Sequence, residues 1–145
     1  MADNERKYVP PLAELIDRLT VNQIKEVKMP SIKQAVWEEC DRIAHDIDLL
    51  ARERELALNA AQIGLISALA QLNLHIWMLK DRMEAGEGDY DDQLRLAHQL
   101  NGVRNQIKNA LLHQCQDVAE GAKRTNVNVD GLEGWQLHVL EHLTG

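Results

Sequence analysis

A chain of 145 residues has the size of one ordinary domain and can bury a hydrophobic core without disulfides or a structural metal. Its apolar residues are mainly Leu, Ala, Ile and Val, with no Phe, a balance that favours helix packing over a β-sandwich. A formal charge of −7 argues against a phosphate-tracking nucleic-acid binder, because such a protein needs a basic stripe to displace counterions.

The opening MADNERKYVPP has neither the basic start nor the apolar run of a secretory leader, and Cys40 and Cys115 are the only cysteines. The expectation is a cytoplasmic protein with reduced thiols. A first helix is predicted from about Leu12 to Met29, with Leu12, Leu15, Ile16, Leu19 and Val27 at helical spacing between Pro11 and Pro30. Ser31 with Gln34 reads as a capping box opening a second helix, whose seam is Val36, Cys40, Ile43, Ile47 and Leu50, interrupted at Arg54.

A break is expected near Leu58, where Asn59 and Gln62 can cap a third helix running to about Glu84. Residues 60–79 carry no charge and are long enough to cross a bilayer. However, Gln62, Ser67, Gln71, Asn73 and His75 interrupt them, so they read as the central helix of a bundle surrounded by the others. The run AGEGDYDD is a loop, and a fourth helix follows from about Tyr90 to Glu120, with Ala97, Leu100, Ile107 and Leu111 on its seam and Arg104 among them. Residues 122–134 lack a helical period and lead to a short closing helix from about Trp135 to Leu143. The fold class expected is all-α: one domain over 1–145, an antiparallel bundle of four long helices plus a short C-terminal helix.

Two patterns have metal-like spacing. His138, Glu141 and His142 match H-x-x-E-H, and Asp41, His45 and Asp48 share one face of the second helix. Both read as solvated surface, and no metal or cofactor is expected. More informative are three polar segments on apolar helices: Asp17 flanking the first seam; Asn73, Trp77, Lys80 and Asp81 in the third helix; and Asn101, Arg104 and Lys108 in the fourth. A guanidinium drawn toward a core cannot lose its charge, so Arg104 needs a carboxylate, from Asp17 or Asp81, and an interior Asn must also be satisfied. One shared cluster where helices one, three and four meet is the economical solution. Glu14 and Lys25 lie opposite the apolar face, where solvent would suffice.

The blocks LAELIDRLTVNQIKE, LAQLNLHIWMLKDRM and LAHQLNGVRNQIKNALL, about a third of the chain, also resemble a set of uncharacterised bacterial helical proteins often encoded near glycosyltransferase and surface-polysaccharide genes. The resemblance implies a site at Glu14, Asp17, Lys25, Asn73, Trp77, Asp81, Asn101, Arg104, Lys108 and Asn109, without naming its ligand. Lys80 replaces an acid of that pattern, Gly102 an Asp and Ala13 a Gly.

Among functions, the leading expectation is a non-enzymatic helical binding or assembly module that joins a second copy, as a homodimer, or a protein partner through its long helices. It is not expected to bind nucleic acid or membrane. The alternative is a helical enzyme or small-molecule binder that recognises an anionic ligand, such as a sugar nucleotide, through the Asp/Asn/Arg/Lys cluster.

Overall fold

The computed structural model describes residues 10–117, 132 and 134–141, and among them there is no strand. Four long helices, α1 (Leu12–Lys28), α2 (Lys33–Glu53), α3 (Ala60–Glu84) and α4 (Tyr90–Gln114), are followed by a short α5 (His138–Glu141). They form an all-α bundle. Its centre is a layer of fully buried aliphatic side chains, Leu65, Leu69 and Leu72 of α3 against Ile107 and Leu111 of α4, closed by Leu12, Ala13 and Ile16 of α1.

The hub is α1 rather than α3. Helix α1 packs on α2, α3 and α4, whereas α2 packs, among the long helices, on α1 alone. Consequently α3 is not surrounded: Ile63, Leu74 and Met78 on its outward face are 48%, 38% and 46% exposed. The α2 seam follows the same logic, with Val36 and Ile43 buried and Cys40, Ile47 and Leu50 half-buried.

Local chemistry sets the helix boundaries. Asn59 is extended and accepts a hydrogen bond from the Gln62 amide at 2.9 Å, capping α3, and Asp89 does the same for α4 through the Asp92 amide at 3.0 Å. The expected Ser31/Gln34 capping box does not form. Pro30–Ile32 tightens into a 3₁₀ turn that runs directly into α2, so Ser31 is already inside a turn and Gln34 donates instead to Glu38 at 3.4 Å. Val27, placed on the first seam by its spacing, is 73% exposed because the last turn of α1 projects past its neighbours.

Helices α2, α3 and α4 end alike. The residue after each cap is left-handed, Glu55 at φ 51°, Gly86 at φ 72° and Gln116 at φ 59°. The next amide then reaches back to a carbonyl: Leu56 to Ala51, Glu87 to Arg82 and Asp117 to Leu112. For α4 this stop falls at Gln114, six residues short of the expected Glu120, and residues 118–131 lie outside the described ones, as do 133 and His142 onward. The closing helix starts at His138 and not at the expected Trp135, since residues 135–137 are described and are not helical; His138–Glu141 docks on α3 and α4, and the expected end at Leu143 lies outside the described residues. There a Cβ on Gly64 would stand 2.7 Å from Val139 Cγ1, so Gly64, which lowers helix propensity, is what lets α5 approach α3.

Candidate functional site

The stop of α4 has a second effect, because it delivers Asp117 to the start of α1. Pro11 precedes that helix and offers no side-chain cap. The Asp117 carboxylate accepts from the backbone amides of Leu12 at 2.8 Å and Ala13 at 2.9 Å, capping α1 from more than a hundred residues away. Arg54, at the end of α2, donates to the same carboxylate at 2.6 Å and to the Cys115 carbonyl at 2.7 Å. Three helix ends therefore share one ion pair, with the Asp117 side chain 1% exposed and that of Arg54 25%. Sequence periodicity identified Arg54 only as an interruption, and Asp117 carried no signal of its own.

The polar segments of α1, α3 and α4 converge in the bundle. Asp17, 2% exposed, is the carboxylate that answers Arg104 Nη2. Arg104 Nε donates to Asn73 Oδ1 at 2.8 Å, and Asn73 Nδ2 returns hydrogen bonds to Asp17 at 2.9 Å and to the Thr20 hydroxyl at 2.8 Å. Thr20 in turn donates to the Asp17 carbonyl at 2.7 Å. Lys108, one turn along α4, is 5% exposed and lies 2.7 Å from Glu14 and 3.3 Å from Asp17. Two cations thus meet two carboxylates, so the cluster is neutral and its buried charges are compensated.

This corrects two expectations. Asp81 is exposed and takes no part, because it projects from α3 into solvent and Asp17 answers Arg104. Glu14 is not merely solvated, since it partners Lys108. Trp77 and Asn101, half-buried, stand beside the network and line a groove of about 270 Å³ between α1, α3 and α4. The apolar wall of that groove is Val21, Ile24, Ile76 and Trp77, with Lys80, Asn101 and the outer side of Arg104 as its polar contribution. A second groove, of about 320 Å³, shares Val21 and Arg104 with the first and runs toward α2, past Asn22, Lys25 and Glu39. Lys25 is therefore half-buried on a groove wall.

Of the metal-like patterns, Asp41, His45 and Asp48 do not assemble: all three are exposed on the side of α2 that no other described long helix covers, and His45 pairs with its neighbour Asp46 at 3.1 Å; the His138/Glu141/His142 pattern includes His142, which lies outside the described residues. Cys40 and Cys115 are free thiols. Burial, reinforced by Asp117 and opposed by Arg54, pushes the Cys115 pKa up to about 11, and burial with nearby acids raises that of Cys40, so both stay protonated near neutrality.

Comparison with protein-family models, curated proteins and solved structures gave no match.

Proposed function

We propose that the protein is a non-enzymatic assembly module that pairs with a second copy of itself through the outward face of α3, in a cytoplasmic setting that keeps both thiols reduced. The observation that carries this reading is the pattern on that face. Ile63, Ser67, Ala70, Gln71, Leu74 and Met78 recur three and four residues apart along an uncharged stretch, and the largest of them are more than a third exposed. Helix α3 is about 37 Å long at 1.5 Å per residue, long enough for a continuous helix–helix contact.

The stripe is self-complementary. In an antiparallel two-fold pairing centred between Ala70 and Gln71, Ile63 opposes Met78, Leu74 opposes Ser67, and Gln71 opposes Ala70. Ile63 and Met78 then meet as an apolar pair, Leu74 meets the smaller Ser67, and the Gln71 amides, each a donor and an acceptor, lie close to the axis. The charged residues Lys80, Asp81 and Arg82 fall outside the paired stretch. The same helix meets the length and composition of a membrane span, but a third of that span is buried within the bundle and Asn73 is fixed there by Asp17, Thr20 and Arg104.

Light scattering after size exclusion should give twice the chain mass of 16.5 kDa. Ile63→Lys and Met78→Glu should each yield a monomer, and the double variant should regain the dimer because each lysine faces the partner's glutamate. A wild-type chain that stays monomeric at high micromolar concentration, or a double variant no more associated than the single ones, would overturn the proposal.

A further inference from the structure

The two grooves that meet at Arg104 have a composition that the assembly reading does not use. The first has Lys80 and Arg104 on its walls and no carboxylate except the already paired Asp17 behind Asn73. Arg104 commits Nε to Asn73 and Nη2 to Asp17, which leaves Nη1 as the guanidinium nitrogen engaged by neither. Its side chain remains 25% exposed. Facing these cations are the Trp77 indole and the aliphatic Val21, Ile24 and Ile76. The second groove carries Glu14, Asp17 and Glu39 as well as Arg18 and Lys25, so the anion belongs in the first; in the second Asn22 is 3% exposed and its Nδ2 has no hydrogen-bond partner among the described residues.

Each feature asks for a different part of one ligand. An indole flanked by aliphatic side chains suits a flat ring, and a pair of cations on an acid-free wall suits a localised anion. A buried N–H without an acceptor is destabilising, and a ligand oxygen would relieve that. Free phosphate would leave the indole wall unused, and an uncharged ring would leave Lys80 and Arg104 unused. Each groove is close to the lower end of the small-ligand range, about 300 Å³, so the pair suits a molecule with two moieties rather than a macromolecule. We infer that this cleft binds a nucleoside monophosphate or a molecule of the same design, with the ring against Trp77, the phosphate between Lys80 and Arg104, and a further oxygen accepting from Asn22. This does not depend on self-association.

Isothermal titration of the full chain with AMP, GMP, CMP and UMP tests the inference, with adenosine, uridine and inorganic phosphate as controls. At least one nucleotide should bind saturably and more weakly as salt rises, whereas nucleosides and phosphate alone should bind at least about tenfold more weakly. Lys80→Gln should weaken nucleotide binding about fivefold with an unchanged unfolding temperature, since Lys80 is exposed. Trp77→Leu keeps an apolar wall without the platform and should weaken it about tenfold. No saturable binding of any of the four nucleotides, nucleosides binding as tightly as nucleotides, or affinities unaltered in both variants would overturn it.

Discussion

Arg104 stands where the α4 seam calls for an aliphatic side chain, so the consequence of removing it depends on what stays behind. Arg104→Met would fill similar space but leave Asp17 buried with only Lys108 and the Asn73 amide opposite its charge. Breaking a buried pair from one side typically costs about 3–5 kcal/mol, and the partial exposure of Arg104 puts this variant at the lower end. Asp17→Asn should be destabilising for the converse reason. A urea-denaturation cycle over both single variants and the double one should show a coupling of about 1–3 kcal/mol, with the double variant less unstable than the sum of the two. Strict additivity would mean that the two side chains act independently. This network was legible in sequence because an arginine, an asparagine and an aspartate break apolar periodicity at positions that must be satisfied indoors. Asp117 was not, because it follows the end of the periodic pattern and its partners are two backbone amides at the far end of the chain.

At the level of the helices, the three left-handed stops are an uneven set. Gly86 adopts φ 72° without penalty, whereas Glu55 and Gln116 hold comparable angles with a Cβ. Glu55→Gly and Gln116→Gly should therefore each stabilise the protein by about 0.5–1 kcal/mol, measured as a rise in the thermal midpoint, provided that the backbone hydrogen bonds closing each helix remain. A fall at both positions would show that the side chains contribute more than the backbone conformation costs. The same motifs explain which boundaries could be read in advance. The Asn59 and Asp89 caps and the Gly86–Gly88 loop announce themselves by residue type, so the limits of α3 and the start of α4 were close to expectation. The stops at Glu55 and Gln116 use residues with no turn preference, and the end of α4 was misplaced for that reason.

Across the whole molecule the helices do not share stability equally. Helices α1, α3 and α4 pack on one another around the fully buried layer, while α2 rests on α1 and is anchored at its end by Arg54. An element held by one interface and one ion pair should open below the global unfolding free energy. Arg54→Gln removes the charge that ties α2 to Asp117 but leaves the Leu12 and Ala13 amides to hold that carboxylate, so α1 keeps its cap. Hydrogen exchange followed by mass spectrometry should show amides in α2 exchanging about tenfold faster in this variant, equivalent to about 1.4 kcal/mol, with little change in α3 and α4. An equal acceleration in every helix would mean that the bundle opens only as one unit and that the Arg54 contact belongs to global stability. Because the proposed self-association face lies on α3 and the proposed nucleotide cleft lies between α1, α3 and α4, loosening α2 should leave the oligomeric mass unaltered, and it should affect ligand affinity only through the Glu39 side of the second groove.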